Sequence, residues 1–389
     1  MKICACIAEY NPFHLGHLKH INYMKETLGA EKVIVLMSGN FTQRGEIAVL
    51  NKFMRARQAI IAGADIVIEL PTVFATANAE IFAKGSINLV NSLGVCNGLC
   101  FGIESGDKES FVSLAKSLNN ESKEFKRTLK EQLDKGVSLA KAKFLTVSAL
   151  GGEFDENLIA SPNNILGLEY TKALLKLNSN VEIYPMLRDG NHNDLTLKKG
   201  LTSASSIREC LKNGTIKKAK KNLPSFVYQD LKDYPYDIEK LLMAKLILSS
   251  PEELKQTSDC TEGLENRIKA LSKDILSLDD LVEKVSTKRY TKARIRRIIL
   301  ANFLGIKQEF IDECLNSKLY AKVLAISSNN LDLISLLSEK SSIPVLTRKS
   351  DVVGLKRTAE KCFKVDALAN DIYNLVSNEK QNENQMVIV

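Results

Sequence analysis

The sequence predicts an α/β protein: a parallel sheet of five strands covered by helices on both faces, then a mainly helical C-terminal domain with a small mixed α/β unit. Short apolar runs alternate with helical patterns through the first half, and parallel strands need such crossover helices. The runs are apolar throughout, as burial on both faces of a sheet requires. The strand candidates are 3–8, 32–37, 65–70, 98–101 and 181–184, and the helix candidates between them are 16–28, 51–62, 79–93 and 164–177.

The length and the pattern predict two domains. A chain of 389 residues exceeds what one core commonly supports. The β signal fades near residue 210, so we place the first domain at 1–210, with a charged helical insertion at about 108–152, and the second at 211–389. The polar tail 379–389 is expected to be frayed. Within the second domain we expect helices over 217–304 and strands at 320–326 and 343–346.

Composition and charge predict a folded, soluble, cytoplasmic protein. Apolar residues make up 44% and charged residues 26% of the chain, which is usual for globular domains. We expect no membrane span, because no apolar run approaches the roughly 18 residues required, and no secretory signal. The 8 cysteines lack the paired spacing of zinc sites, so we expect buried thiols. The net charge of +8 would suit contact with phosphates.

Polar or glycine-containing segments follow all five strand candidates. In a parallel sheet these segments emerge at the carboxyl ends of the strands, where open α/β sheets bind ligands. The sequence therefore predicts a binding site composed of several loops. The segments are 9–14, 38–45, 69–72, 102–106 and 188–192.

Three of the four histidines, His14, His17 and His20, fall where the first strand gives way to a helix. Gly16 lets an anion approach the backbone, and a helix N-terminus favours negative charge. Imidazoles at His14 and His17 could hydrogen-bond a triphosphate and stabilise the charge that develops on pyrophosphate. We therefore predict that His14 and His17 are catalytic and that the protein itself holds no metal.

Two other interpretations of the histidines stay open. The HxxH spacing also occurs at metal sites, for which Glu9 and His192 are the only nearby further ligands. The histidines could instead cap the helix or pack against the core. Packing alone does not explain a glycine between them.

Five strings of the sequence closely resemble the tRNA(Met) cytidine acetate ligase family, within the HxGH nucleotidyltransferases. The resemblance covers most of residues 1–210 and, more loosely, the basic segment near 288–297. It departs at 189–192, where DGNH stands in place of a Gly-Ala-like pair before His-Asp. It implies a Rossmann-like domain of the HUP type. The matching strings are EYNPFHLGH at 9–17, SGNFTQRG at 38–45, FGIE at 101–104, SPNNILGLEY at 161–170 and SASSIR at 203–208.

The resemblance implies an ATP-dependent carbon–nitrogen ligase. It would activate acetate as acetyl-adenylate with release of pyrophosphate, and then transfer the acetyl group to N4 of the wobble cytidine of elongator tRNA(Met). ATP is then a co-substrate, and Mg²⁺ is expected as a counter-ion held by the phosphates. The ATP-binding residues implied are Ile7, Ala8, Glu9, Tyr10, Asn11, His14, Gly16, His17, His20, Gly102, Asn163, Arg188, Ser205 and Arg208.

A basic segment in the second domain is predicted to bind the tRNA. Residues 287–297 contain six basic and no acidic side chains, which helical spacing would gather into a stripe. Tyr290 could stack on a base. A solvated basic helix is the alternative. The candidate tRNA contacts are Lys288, Arg289, Lys292, Arg296 and Arg297.

Two other functions stay open. The HxGH motif also serves small-molecule adenylyltransferases and cytidylyltransferases, and a non-catalytic RNA-binding protein could keep an ATP pocket. A small-molecule enzyme has little need for about 180 further residues with a basic helix, which favours the ligase. The sequence gives no indication of the oligomeric state.

Overall fold

The computed structural model describes residues 1–120, 122–137, 139–159, 161–188, 203–231, 238–275, 277–287 and 289–389. Within these residues, the strands are β1 (Ile3–Ala8), β2 (Lys32–Ser38), β3 (Ile66–Leu70), β4 (Gly98–Ile103), β5 (Glu182–Leu187), β6 (Ala321–Ile326), β7 (Val345–Leu346) and β8 (Val387–Ile388). They form one sheet in the order β5-β4-β1-β2-β3-β6-β7, and β8 pairs with β6.

Helices connect the strands and make up most of the second half. In the first half the α-helices are α1 (Leu15–Asn22), α2 (Lys52–Ile61), α3 (Thr72–Ala75), α4 (Ala79–Leu93), α5 (Lys108–Asn119), α6 (Lys123–Asp134), α7 (Leu139–Ala149), α8 (Pro162–Lys176) and α9 (Ala204–Lys212). A π-helix, Tyr23–Thr27, continues α1, and 3-10 helices lie at Glu156–Ile159, Ile216–Asn222 and Ser328–Asn330.

The later α-helices are α10 (Ser225–Asp230), α11 (Glu239–Leu248), α12 (Pro251–Gln256), α13 (Leu264–Leu271), α14 (Leu278–Val285), α15 (Lys292–Leu304), α16 (Gln308–Leu315), α17 (Asp332–Lys340), α18 (Lys349–Val352) and α19 (Arg357–Ser377). In the described part of the chain, none of the helices is both long and apolar enough to cross a bilayer.

The five predicted parallel strands are confirmed. β1 lies between β2 and β4, and all pairings among β1 to β5 are parallel. β4 and β5 continue past their predicted ends, because pairing extends through Gly102 and Met186 to Ile103 and Leu187. Gly102 is therefore a strand residue at the sheet edge and not part of the loop.

The sheet is larger than predicted, because the mixed unit of the second half joins it. β6 pairs antiparallel with β3, and β7 and β8 pair with β6. Without β6, the outer edge of β3 would expose unpaired backbone groups, and the fully buried β6 covers that edge. A pairing between segments about 250 residues apart leaves no local pattern in the sequence.

The prediction of a frayed C-terminal tail is wrong. Glu383 is only 7% exposed and forms ion pairs with Lys52 and Lys322. Val387 and Ile388 then pair with β6. The polar composition of the tail suggested solvation, but these polar side chains meet buried partners.

Two apolar cores cover the two faces of the sheet. Ile34 and Ile68 face the core that includes α4, α5 and α8, and Cys4, Cys6 and Val35 face the core that includes α1, α2 and α9. Helix α5, part of the predicted insertion, contributes buried side chains to the first core. All eight cysteines are free, and burial raises the pKa of Cys4 and Cys6 to about 12.

Candidate active site

A cavity opens at the carboxyl ends of β1, β4 and β5. Its walls are the segment that follows β1, the start of α1, the loop after β2, and the first turns of α8 and α9. This is the edge of the sheet where the connections from β1 and β4 leave a crevice. The cavity is composed of several loops, as the sequence predicted.

His14 and His17 form a mutually fixed pair at the start of α1. Nδ1 of His14 accepts the N–H of Gly16 at 3.0 Å, and Nδ1 of His17 accepts the N–H of His14 at 3.3 Å. The two rings stack with their centroids 3.8 Å apart. An Nδ1 that accepts a hydrogen bond carries no proton, so in each neutral ring the proton is on Nε2. Both imidazoles therefore line the cavity as Nε2–H donors.

This arrangement is a capping box made of two imidazoles. The capping interpretation is therefore correct as geometry, and it is compatible with a phosphate role because both rings also line the cavity. For the metal interpretation, both Nδ1 atoms are already occupied, and the described residues contain no group of three potential metal ligands. His192 and the rest of the DGNH string lie outside the described residues.

Gly16 differs from the expectation. It is absent from the described cavity wall, and its N–H donates to His14. In this conformation the Gly16 N–H is therefore not offered to a phosphate. The other ATP-binding residues implied by the resemblance, from Ile7 to Arg208, all line the cavity.

The segment after β1 is locked by the loop after β2. Asn11 Oδ1 accepts the N–H of Val49 at 2.8 Å. The buried guanidinium of Arg55 donates to the carbonyls of Glu9 and Ser38 at 2.6 and 3.0 Å. Burial lowers the pKa of Arg55 to about 10, which still leaves it charged at neutral pH. The two motif segments therefore hold each other in position.

Arg188 follows β5 and lies across Gly102. A Cβ atom at position 102 would be 2.8 Å from Cδ of Arg188, so the glycine makes room for the arginine. Burial lowers the pKa of Arg188, opposed by Glu104. Glu104 also accepts a hydrogen bond from the side-chain amide of Asn163, on the first turn of α8. The end of β4 thus fixes two predicted ligand-binding side chains.

The start of α9 forms another wall of the cavity. Ser203 caps this helix by accepting the N–H of Ser206 at 3.2 Å. Arg208 donates to the carbonyl of Asn11 at 2.9 Å and to Oγ of Ser205 at 3.3 Å. Ser205 and Arg208 therefore belong to the same cavity as the histidines, about 190 residues earlier in the chain.

Glu9 is the one acidic side chain among the described residues that line the cavity. It accepts the N–H of Gln43 at 2.8 Å. Burial raises its pKa, and the Gln43 N–H, Arg208 and Arg44 oppose this rise.

His20 contacts Cys100 Sγ at 3.2 Å, and burial lowers the pKa of His20 to about 4, so its ring is neutral at pH 7.

Sequence reasoning missed several lining residues. Gln43 and Arg44 lie in the SGNFTQRG string, and an arginine at the predicted ligand edge was an available signal. The apolar lining residues gave no such signal, because in the sequence they look like ordinary buried positions of a helix or a strand. The missed residues are Gln43, Arg44, Phe82, Phe101, Pro162, Leu166, Tyr170, Ser203 and Ala204.

The model of the family described as HIGH Nucleotidyl Transferase matches residues 1–387 of the chain. A relative from Clostridium novyi, named tRNA(Met) cytidine acetate ligase, is 38% identical over 97% of this chain and 96% of its own length. The chain belongs to the tRNA(Met) cytidine acetate ligase family. A ligase of the same name from Acetivibrio thermocellus is 35% identical over 96% of this chain and 94% of its own.

Solved structures agree with this membership of the ligase family. Thermotoga maritima TmcAL in its apo form matches with a TM-score of 0.94 at 28% identity, and both chains are covered completely. The same protein bound with alpha-thio ATP matches with a TM-score of 0.91. The resemblance drawn from the motifs is confirmed.

In this ligase family member, the predicted tRNA-binding segment lies beside the loop after β2. Gly45 packs against the backbone of α15: a Cβ atom at Gly45 would be 2.6 Å from the carbonyl carbon of Arg296. The start of α15 is therefore adjacent to the loop that brings Gln43 and Arg44 into the cavity. Lys288 lies outside the described residues.

The basic side chains of this segment are paired with acids. The side chains of Arg296 and Arg297 are 24% and 15% exposed, whereas those of Arg289 and Lys292 are 50% and 60% exposed. The expected uniform stripe is therefore divided into a half-buried part and an exposed part. The acidic partners of Arg289, Lys292, Arg296 and Arg297 are, in that order, Glu262, Glu283, Asp279 and Asp259.

Proposed function

We propose that this protein activates acetate with ATP to acetyl-adenylate and pyrophosphate, and transfers the acetyl group to N4 of the wobble cytidine of elongator tRNA(Met). One observation carries the proposal: two imidazole N–H donors and three arginines converge on one cavity in a chain of this ligase family. A tRNA substrate supports a cytoplasmic location for the proposed reaction.

In the first step an acetate oxygen attacks the α-phosphorus of ATP and pyrophosphate leaves. Both reagents are anions, so the site has to offset their repulsion and hold them in line. The Nε2–H groups of His14 and His17 would donate to phosphate oxygens, and Arg188 would supply a guanidinium. With Glu9 as the only described carboxylate of the cavity wall, Mg²⁺ would be held mainly by the phosphates.

The exposed part of the basic segment supports a tRNA surface next to the cavity. Arg289 and Lys292 are exposed, and their acidic partners are exposed as well, so RNA phosphates could replace those partners at little cost. Arg296 and Arg297 are less exposed than Arg289 and Lys292 and would contribute less to this surface.

A paired charge reversal tests this surface. Arg289→Glu with Lys292→Glu should weaken tRNA binding about tenfold or more and reduce the salt dependence, because two phosphate contacts are lost. Affinity measured at several salt concentrations gives both values. Lys126→Glu with Lys130→Glu, on exposed positions of α6, is the matched control and should leave the slope unchanged. If both double variants show the same slope, the exposed part of the basic segment does not belong to the RNA surface.

The function itself is tested with purified protein, ATP and labelled acetate, with and without elongator tRNA(Met). We expect acetate-dependent pyrophosphate release, and label in the tRNA as N4-acetylcytidine. Initiator tRNA is the control and should stay unlabelled. Transfer of AMP to a small metabolite would indicate an adenylyltransferase instead. No pyrophosphate release under any condition would indicate a non-catalytic RNA-binding protein.

A further inference from the structure

The second step of the proposed reaction needs a base, and this inference rests on that proposed function. The N4 lone pair attacks the carbonyl carbon of acetyl-adenylate and a C–N bond forms. The bond from that carbon to the phosphate oxygen breaks, and AMP leaves with the electron pair. The nitrogen then carries one proton too many, which has to pass to an acceptor in the cavity.

The two catalytic histidines are poor acceptors for that proton. Nδ1 of His14 and Nδ1 of His17 each accept a backbone N–H, so Nε2 of each neutral ring already carries the proton. These rings can donate to phosphates, but they cannot take a proton at Nε2. His20 is turned to Cys100, and burial disfavours its protonated form.

Glu9 is the remaining basic group of the described wall. A carboxylate in a cavity that receives acetate and a triphosphate repels both, so its presence calls for a role that only a carboxylate can fill. One carboxylate oxygen is fixed by the Gln43 N–H at 2.8 Å. That single anchor orients the group at the end of β1, directly before the histidine segment.

The surroundings of Glu9 adjust its basicity in both directions. Burial makes it a stronger base than an exposed carboxylate, because burial raises its pKa. The Gln43 N–H and the nearby arginines limit that rise. The charged and titratable groups that act on it are Arg44 and Glu46 from the loop after β2, Arg208 from α9, Arg55 from α2 and Tyr170 from α8.

We propose that Glu9 is the general base of acetyl transfer: its carboxylate accepts the N4 proton as the C–N bond forms, and later releases it to water. This assigns the two half-reactions to different side chains. His14 and His17 stabilise the phosphates in the first step, and Glu9 takes the proton in the second.

The test separates the half-reactions in the variant Glu9→Gln. Glutamine keeps an oxygen for the Gln43 N–H and nearly the same volume, so a purely structural role would survive. Labelled acetyl-adenylate is formed on the enzyme, and tRNA is then added in a single turnover. The rate of transfer should fall at least 100-fold more than the rate of adenylate formation.

Glu46→Gln is the matched control. Like Glu9→Gln, this variant removes one negative charge near Arg208, with which Glu46 pairs at 3.5 Å. Unlike Glu9, Glu46 is not part of the described ATP cavity wall. Because Glu46 contributes only a minor part of the rise in the pKa of Glu9, the ratio of the two rates should change far less than in Glu9→Gln. If Glu9→Gln slows both half-reactions equally, Glu9 serves ATP or its magnesium and the inference is wrong. If the wild-type protein transfers no acetyl group at all, the proposed function fails first.

A pH profile of the wild-type transfer step gives a second test that does not depend on the variant. The single-turnover rate should rise about tenfold per pH unit below the pKa of Glu9 and level off above it. Adenylate formation, measured separately, should not follow that curve. A transfer rate that stays constant between pH 4.5 and 8 would overturn the inference.

Discussion

Two groups of charged side chains both contact the loop 39–51, and they differ in how their charges are balanced. We call Lys52, Glu69, Lys322 and Glu383 the ion cluster. Its two ammonium groups face two carboxylates, and each side chain is at most 7% exposed. The candidate active-site cavity instead collects three arginines against one carboxylate among its described residues.

The ion cluster is closed on itself. Nζ of Lys52 lies 2.7 Å from both Glu69 and Glu383, and Lys322 lies 3.0 Å from Glu69. Burial alone would lower the pKa of Lys52, but the carboxylates of Glu383 and Glu69 raise it above its usual value. Burial alone would raise the pKa of Glu69, but the ammonium groups of Lys322 and Lys52 lower it below its usual value. Lys52 and Glu69 therefore both stay charged, and the four side chains of the cluster pair with one another.

The loop between the two groups connects them. Asn40 donates to Asn370 at 3.1 Å, and Asn51 donates to Glu379 at 2.7 Å, which ties the loop to α19 and the tail. The same loop supplies the Gln43 N–H to Glu9. Contacts with α19 and the tail thus fix the loop beside the ion cluster, whereas the cavity wall carries more arginines than carboxylates. The C-terminal tail therefore supports the candidate active site, although it lies outside the cavity.

The largest expected effect is on the ion cluster. Lys52→Met would leave two buried carboxylates with one cation, which costs roughly 3 to 5 kcal/mol of unfolding free energy. Denaturant unfolding without ATP measures it. Lys84→Met, which breaks the more exposed pair with Glu80, is the control and should cost less than about 1 kcal/mol. Similar small losses in both variants would mean that the cluster does not hold the fold together.

A cavity arginine should behave in the opposite way. Arg188→Met should weaken ATP binding by roughly 1.5 to 3 kcal/mol, or about 10-fold to 150-fold, because a charged hydrogen bond to phosphate is lost. The unfolding free energy without ATP should change by less than about 1 kcal/mol. Isothermal titration and denaturant unfolding give the two values. Destabilisation of the ligand-free protein as large as that of Lys52→Met would remove the contrast between the two regions.

A smaller effect concerns Asp366, which borders the ion cluster. Burial, and then Glu69, raise its pKa to about 7, above the ordinary value near 4. The folded state therefore binds the proton of the Asp366 carboxyl group more tightly than the unfolded state does. The protonated carboxyl group contributes fully to the unfolding free energy below pH 4, and this contribution is lost as the pH rises through 7. Relative to Asp366→Asn, the wild-type unfolding free energy should fall as the pH rises from 4 through 7. A parallel pH dependence in both proteins would contradict this assignment.

The sequence predicted the parallel sheet and the location of the cavity, because both depend on local patterns. The apolar runs of β1 to β3 and the histidines at the start of α1 are examples. It could not predict that β6 completes the edge of β3, or that Glu383 reaches Lys52, since these contacts join distant segments. It also missed Phe82 and Tyr170, whose places in the cavity wall depend on packing. The basic segment illustrates a further limit, because Asp259, the partner of Arg297, lies 38 residues away.

The central claim is that His14 does more than cap α1, and His14→Asn tests it most directly. Asparagine is a good N-cap residue, so the unfolding free energy should stay within about 0.5 kcal/mol of the wild type, whereas His14→Ala should lose about 1 kcal/mol. Acetate-dependent pyrophosphate release by His14→Asn should fall about 100-fold or more, because the Nε2–H donor is gone. Release at the wild-type rate in this capped variant would show that the imidazole serves the helix alone.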